Sequence, residues 1–314
     1  MAVSSLVLAG PFLREAFAYP DRPIHLYVPY PAGGPNDVIA RLIAKKLENR
    51  FSQTIIVENR PGGSGNIATI ATARSAPDGY TLVLHAMTSV VNPSLFVNAG
   101  YTLDQFVPVS IVTEGPLVLV VHPSLGVNSV QELIALAKAQ PGKINYGSGG
   151  NGSSPHLAAE LFKQLAKVDM QHVLYKGTND LISDLLTGRV PVVFLSPLIA
   201  RQYVSDGKLI ALGITSDKQS PGWPDTPTIA EAGVPHYAME AWYAVLAPRG
   251  TPNDVVDRLG AAIAEAVESP DLRDKLQSLG NVPDGRSGAK AQAYVDAESK
   301  RWREIIAATG IHVE

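Results

Sequence analysis

The sequence predicts an α/β protein built from two lobes. Strand-like apolar runs and helical patterns alternate along most of the chain, which indicates an α/β fold. Two long extended runs, at 107–121 and 240–247, are interpreted as segments that pass between the lobes. Three glycine-rich segments, at 30–37, 61–66 and 147–154, each stand where a strand pattern gives way to a helical one.

The individual elements follow from the spacing of apolar residues. The first helical pattern places Val38, Leu42 and Leu47 on one stripe. A later helix is predicted to start after Ser129, which suits an N-cap, with Glu132 at the capping-box position. Strands are predicted at 24–28, 55–57, 80–84, 144–146, 173–175, 192–195 and 210–214, and helices at 37–50, 66–75, 129–139, 154–166, 180–186, 252–268, 270–279 and 289–308.

The order of these elements predicts that one lobe interrupts the other. The first lobe takes residues 19–115 and 240–314, and the second takes residues 116–239. The C-terminal helices then return to cover the first lobe.

Composition excludes several classes of function. The chain has 314 residues, a formal charge of −3 and no cysteine. Interspersed charges form no basic stripe, which argues against nucleic acid as a partner. The absence of cysteine excludes disulfides and thiolate metal sites.

The N-terminus, residues 1–18, is interpreted as a signal peptide, with a disordered N-terminal tail as the alternative. Residues 4–13 are apolar but too short to span a bilayer, and Ala16-Phe17-Ala18 follows as an A-x-A cleavage pattern. No Lys or Arg precedes the apolar stretch, so the signal is atypical or truncated. We expect a periplasmic protein, with no other membrane-spanning candidate in the sequence.

The glycine-rich segments predict a binding site for a small anion. A glycine-rich turn at a helix N-terminus leaves backbone N–H groups unpaired, and the helix dipole adds partial positive charge there. Such a place binds anions without any charged side chain.

Nucleotide and nucleophile chemistry fit these segments poorly. Gly147, Gly149 and Gly152 satisfy G-x-G-x-x-G, but the next strand does not end in the acid that a dinucleotide fold requires. The segments lack the Gly-Lys-Ser/Thr of a Walker loop, and the sequence has no Gly-x-Ser-x-Gly elbow. Ser64 and Ser153 are therefore interpreted as hydrogen-bond donors or helix caps.

A few other side chains remain candidates. His156 and Glu160 share a helix face without a second histidine, so no metal site is predicted; His156 either donates to a ligand or is an ordinary histidine. Lys176 either pairs with an anionic ligand or is a solvated loop residue. Trp242 either lines a cleft or packs in the core.

Several motifs in fixed order resemble one family of receptors. From about residue 19 onward the chain is similar to the solute-binding receptors of tripartite tricarboxylate transporters, the TctC or Bug family. The segments that carry the resemblance are Tyr19-Pro-Asp-Arg-Pro-Ile, the run from Val28 to Asp37, the run from Val57 to Gly65, Ala76-Pro-Asp-Gly-Tyr-Thr-Leu, residues 147–157, Tyr175-Lys-Gly-Thr with the run from Leu185 to Val190, and Trp223-Pro-Asp-Thr-Pro-Thr.

This resemblance implies a fold and a site. The fold would be the two-lobe, type II periplasmic-binding-protein-like fold, with the ligand cleft between the lobes. Family glycine loops clasp ligand carboxylates through backbone N–H groups, hydroxyls and waters. Carried over to this chain, the ligand-binding residues are Tyr30, Ala32, Gly33, Gly34, Ser148, Gly149, Asn151, Ser153 and Ser154, with Ser64, Thr88, Ser89, Tyr175, Lys176 and Gly177 as weaker candidates.

One part of the chain departs from the family pattern. The family usually shows an acidic residue near the end of the strand at 192–195, whereas Pro191 and Leu195 occupy the two expected places. An aspartate-like ligand is therefore disfavoured, while a dicarboxylate, a citrate-like ligand and an aromatic carboxylate remain open.

We therefore expect an extracytoplasmic receptor that delivers a small organic carboxylate to membrane subunits of a tripartite tricarboxylate transporter. It would be a monomer without catalytic activity, cofactor, metal or nucleic-acid partner. The alternatives are a ligand sensor on the same fold and a hydrolase acting on carboxylate esters.

Overall fold

The computed structural model describes residues 19–220, 222–309 and 311. The predicted signal peptide, residues 1–18, lies outside this part of the chain. The strands are β1 Ile24–Val28, β2 Ile55–Asn59, β3 Thr81–Ala86, β4 Phe106–Gly115, β5 Val118–Val121, β6 Asn145–Ser148, β7 Gln171–Leu174, β8 Val192–Leu195, β9 Ile210–Ile214, β10 Ala241–Pro248 and β11 Val282–Pro283. The helices are α1 Pro35–Phe51, α2 Asn66–Ala73, α3 Thr88–Leu95, α4 Val130–Ala139, α5 Ser154–Ala166, α6 Thr178–Leu186, α7 Pro197–Ser205, α8 Asn253–Glu268, α9 Pro270–Ser278 and α10 Gly288–Thr309.

The strands form two separate mixed sheets, so the predicted α/β architecture with two lobes is confirmed. The first sheet has the order β11-β4-β10-β3-β1-β2, and the second has the order β7-β6-β8-β5-β9. Within the first, β1 pairs in parallel with β2 and β3. Within the second, β6 pairs in parallel with β7 and β8. Because helices follow these parallel strands, their N-termini meet at the carboxyl edge of each sheet.

The chain crosses between the sheets where the two extended runs were predicted. The first run divides into β4 and β5, which belong to different sheets and are joined through Pro116 and Leu117. The second run is β10, which returns the chain to the first sheet and lies antiparallel to both β3 and β4. The first sheet is thus interrupted by the second.

Apolar packing holds each sheet to its helices and joins the two sheets. The helix α8 buries Leu259, Ile263 and Val267 at helical spacing against the first sheet. A larger buried cluster is shared by both sheets, with Leu119, Trp242 and Trp302 among its members. The C-terminal helix α10 packs on α3 and β4 and also reaches α5, so it touches elements of both lobes.

Two short helices were not predicted from the sequence. The helix α3 contains Pro93 and several polar residues, and the buried residues of α7 are Pro197 and Ala200, so neither has a sustained apolar stripe. Ser129 does cap α4, where its hydroxyl accepts a hydrogen bond from the Glu132 N–H at 3.1 Å. The predicted cap therefore is confirmed.

Candidate functional site

A cavity of about 340 Å³ lies between the two sheets. From the first sheet's side it is lined by Tyr30, Ala86 and Tyr243. From the second sheet's side it is lined by Gly149 and Phe194, which stand after β6 and near the end of β8. The volume lies at the lower end of the range for small-molecule sites. Its position suits a ligand that contacts both lobes.

Four helices begin at this cavity. The N-cap residues of α1, α5, α6 and α7 all line it, and within the described part of the chain none of these N-cap residues makes a side-chain capping hydrogen bond. The first backbone N–H groups of a helix have no partner within the helix, and each N-terminus carries about half a positive charge. The four N-cap residues are Gly34, Ser153, Gly177 and Ser196. Their convergence makes the cavity favourable for an anion.

Asn36 adds a side-chain donor to this arrangement. It lies in the first turn of α1, lines the cavity and is only 7% exposed. Its Nδ2 has no hydrogen-bond partner within the described residues. Leaving a buried amide unpaired costs about 1–3 kcal/mol, so a ligand oxygen that accepts from Nδ2 would recover that cost. Sequence reasoning missed Asn36, although it stands within the first glycine-rich segment.

Tyr30 is held in the cavity wall by a chain of buried polar groups. Its hydroxyl lies 3.3 Å from Thr88 Oγ1, which in turn lies 3.2 Å from His85 Nδ1. Burial lowers the pKa of His85 to about 4, so its ring is neutral at pH 7. Thr88 itself is fully buried and does not line the cavity. Its contribution is to position Tyr30.

The third glycine-rich segment is shaped by its own hydroxyl groups. The hydroxyls of Ser148 and Ser153 both donate to the carbonyl of Gly150, at 3.0 and 2.7 Å. His172 Nε2 lies 2.7 Å from Ser148 Oγ, and His156 Nδ1 accepts the Gly152 N–H at 3.1 Å. Both histidines support the segment from behind, since neither lines the cavity. Of the two interpretations of His156, the structure favours the ordinary buried histidine.

The second glycine-rich segment does not reach the cavity. Its residue Ser64 has a positive φ of 55°, and its carbonyl accepts a hydrogen bond from Asn92 Nδ2 at 3.1 Å. The same amide donates to Asn66 at 2.7 Å, at the start of α2. Asn92 also lies against the third segment, because a Cβ on Gly152 would come within 2.9 Å of its Oδ1. The second segment therefore supports the site through α3.

The predicted ligand-binding residues divide into two groups. The first group lines the cavity and consists of Tyr30, Ala32, Gly34, Gly149, Ser153, Ser154, Lys176 and Gly177. The second group lies outside the lining and consists of Gly33, Ser64, Thr88, Ser89, Ser148, Asn151 and Tyr175. Several of the second group are engaged elsewhere: the Gly33 N–H donates to Asp37, the Ser89 hydroxyl to the Ala86 carbonyl, and the Tyr175 hydroxyl to Asp184.

The cavity also has an apolar wall that sequence reasoning did not place. It consists of Leu117, Leu181, Phe194, Leu195 and Ile199. The register that pairs Val118 with Leu195 sets Leu117 beside the end of β8, and α6 and α7 supply the other side chains. Trp242, in contrast, is fully buried against Tyr294 and does not line the cavity.

Two oppositely charged side chains, Lys176 and Asp180, stand in the cavity wall. Both residues are exposed to solvent.

Within the described part of the chain, no cluster of three or more His, Cys, Asp or Glu is arranged to hold a metal ion. No helix among the described residues has the length and hydropathy needed to cross a membrane.

Comparison with known proteins identifies close relatives. The family model described as the tripartite tricarboxylate transporter family receptor matches residues 39–311. The chain is similar to Rpa4515 from R. palustris, solved with adipate, with 36% identity and a TM-score of 0.88 over 94% of this chain and 99% of that one.

Two further solved structures are similar over nearly their whole length. The periplasmic binding protein BugD is 31% identical, with a TM-score of 0.86, over 94% of this chain and 100% of its own. MatC from Rhodopseudomonas palustris, solved with bound malate, is 31% identical, with a TM-score of 0.85, over 92% of this chain and 100% of its own. These likenesses confirm the two-lobe fold of periplasmic binding proteins.

Proposed function

The chain belongs to the tripartite tricarboxylate transporter receptor family, and on that premise we propose that it binds a small organic carboxylate between its lobes and delivers it to the membrane subunits of such a transporter. The cavity is set between two sheets that are joined by crossing strands. Ligand binding would draw the lobes together by a hinge motion, as in other two-lobe binding proteins.

The observation that carries the proposal is the convergence of uncapped helix N-termini with the unpaired amide of Asn36 on one cavity. An anion near a helix N-terminus gains about 0.3–1 kcal/mol, and about 2 kcal/mol where the geometry is partly buried. A hydrogen bond to a charged group adds about 1.5–3 kcal/mol. Adipate and malate in the related structures support a carboxylate as the anion.

The proposal assigns roles to the predicted residues. The eight that line the cavity, together with Asn36, would contact the ligand. Six of the remaining seven, all but Asn151, would hold the loops in shape through their hydrogen bonds. We further propose that residues 19–115 and 240–314 move as one lobe against residues 116–239, that the protein acts as a monomer in the periplasm, and that it leaves its ligand chemically unchanged.

A ligand screen tests the proposal directly. Purified protein would be heated with mono-, di- and tricarboxylates, amino acids and phosphate esters, because a ligand that binds the folded state raises Tm by mass action. We expect carboxylates to raise Tm and phosphate esters not to. Hits would be confirmed by calorimetry and followed by NMR, where the appearance of a product would contradict a receptor. Absence of binding by every carboxylate would reject the proposal.

A further inference from the structure

The cavity is chemically uneven. Its polar lining includes the N-termini of α1 and α5 and the amide of Asn36. Its apolar lining is the apolar wall, whose members Leu117, Leu181 and Leu195 are 5%, 1% and 2% exposed. These side chains carry no polar atom. A hydroxyl pressed against them would lose its hydration without gaining a hydrogen bond, which costs about 1–3 kcal/mol in proteins, and an ionised carboxylate would lose considerably more.

The Asn36 amide differs from the other donors in the cavity wall. Among the described lining residues, it is the one side-chain donor that is both inaccessible to solvent and unpaired. The hydroxyl of Ser153 is already committed to the Gly150 carbonyl. A single carboxylate can therefore be bound near Asn36, where a helix N-terminus and a side-chain donor coincide.

A second anionic group at the N-termini of α6 and α7 would meet a different set of side chains. The helices α6 and α7 also begin at the cavity, but the side chains they place in its wall are Asp180, Leu181 and Ile199. Asp180 stands in the first turn of α6, so its negative charge offsets that helix dipole. Lys176 brings one positive charge that Asp180 balances. A second carboxylate there would meet the N-terminus of α7 beside Ser196, but no net side-chain charge and, among the described lining residues, no unpaired side-chain donor that is inaccessible to solvent.

We propose, resting on the proposed function, that the ligand is a monocarboxylate with an apolar body, held by its carboxylate near Asn36 and by its hydrocarbon part against the apolar wall. Leu195 is central to this selectivity, because it occupies the end of β8 and contributes only hydrocarbon to the cavity. Hydroxylated dicarboxylates and tricarboxylates are correspondingly poor ligands.

Matched ligands test this on the unmodified protein. Hexanoate and butyrate differ by two CH₂ groups, and each buried CH₂ should strengthen binding about fourfold, hence about sixteenfold between the two acids. Adipate differs from hexanoate by a second carboxylate. Malate differs from butyrate by a second carboxylate and a hydroxyl group. Calorimetry should give hexanoate a lower Kd than butyrate, adipate and malate. Tighter binding of adipate or malate than of hexanoate would overturn the inference while leaving a carboxylate receptor intact.

A pair of neighbouring variants tests the wall itself. Ile199→Asn places an amide in the wall and should weaken hexanoate binding about tenfold. This is the size of effect that a small change in a hydrophobic pocket has on ligand binding. Leu198→Asn is the control, because Leu198 is 46% exposed and does not line the cavity. It should leave the Kd unchanged. Thermal unfolding of both variants checks that they fold, and equal hexanoate affinity in both folded variants would overturn the inference.

Discussion

Asn36 affects ligand affinity and protein stability in opposite directions. Its amide lies buried in the first turn of α1, where its Nδ2 has no partner among the described residues. Such a group destabilises the folded protein by about 1–3 kcal/mol. Sites of function commonly accept this kind of cost, because the unpaired group becomes useful only when a ligand arrives. Ligand affinity and stability should therefore respond in opposite directions to its removal.

The variant Asn36→Leu should separate these two properties. Leucine keeps the approximate shape and removes the donor, so carboxylate affinity should fall about tenfold or more, as expected for a hydrogen bond to a charged group. The free energy of unfolding without ligand should stay equal or rise. Calorimetry and urea unfolding measure the two quantities. As a control, Asn128→Leu alters an exposed residue outside the cavity lining and should leave affinity unchanged.

At the scale of elements, an aromatic stack joins β6, β7 and α5 beneath the third glycine-rich segment. The rings of His156 and His172 lie 4.4 Å apart, and Tyr146 stacks on His172 at 4.9 Å. Burial, together with the proximity of the two rings, lowers the pKa of His156 to about 4, and burial lowers that of His172 similarly. Glu160 opposes both shifts, and Lys163 reinforces them. The stack is therefore neutral when the protein is folded at pH 7.

This neutrality predicts a loss of stability in acid. Unfolded histidine takes up a proton near pH 6.5, whereas the folded residues do so near pH 4, so the unfolded state binds more protons between these values. Stability should be constant with respect to these groups above pH 6.5. It should fall as pH drops towards 4, by at most about 1.4 kcal/mol per pH unit for each histidine.

Variants identify the contribution of the stack. His156→Asn retains an acceptor for the Gly152 N–H but cannot titrate, so urea unfolding at pH 7, 6 and 5 should show a shallower decline than in the parent protein. His236→Asn is the matched control, because His236 is exposed and has a φ of 66°, which asparagine adopts readily. An identical decline in His156→Asn and the parent would show that His156 does not carry the effect.

At the scale of the whole molecule, acidic residues gather where the strands cross between the lobes. Glu240 directly precedes β10, and Glu114 stands near the end of β4 on the neighbouring strand. Burial raises the pKa of Glu240 to about 7, and Glu114, Asp217 and Glu298 add to the shift. Arg286 offsets part of it and pairs with Glu114 at 2.8 Å. The carboxyl group of Glu240 therefore loses its proton near neutral pH, which changes the charge of this junction.

The variant Glu240→Gln should stabilise the protein in alkali. The folded state keeps this proton up to about pH 7 and the unfolded state loses it near 4.5, so stability declines as pH rises through that window. At pH 8 the variant lacks the buried negative charge of Glu240 and should be more stable than the parent protein. The gain should be about 1–2 kcal/mol, because partial exposure of the side chain to solvent reduces the effect. At pH 5 the difference should vanish. Glu304→Gln, at an exposed helical position, should change Tm at neither pH.

The sequence by itself determined the alternation of strands and helices, because the spacing of apolar residues is a local property. It placed β1, β8, β9 and α5 at their observed bounds. The order of motifs also identified the receptor family. Apolar spacing did not reveal the helices α3 and α7, because Pro93 and polar residues interrupt the apolar pattern of α3, and Pro197 and Ala200 are the buried residues of α7.

Only the tertiary structure decided which local features form one site. Strand order sets β6, β7 and β8 side by side in parallel, so that the helices following them begin at one edge, opposite α1. In the folded protein, Ser64 lies outside the cavity, whereas Asn36 and the apolar wall line it. Side-chain partners are equally non-local, as with Ser148 and His172. Convergence of this kind depends on contacts between residues far apart in the chain, which no local pattern of residues encodes.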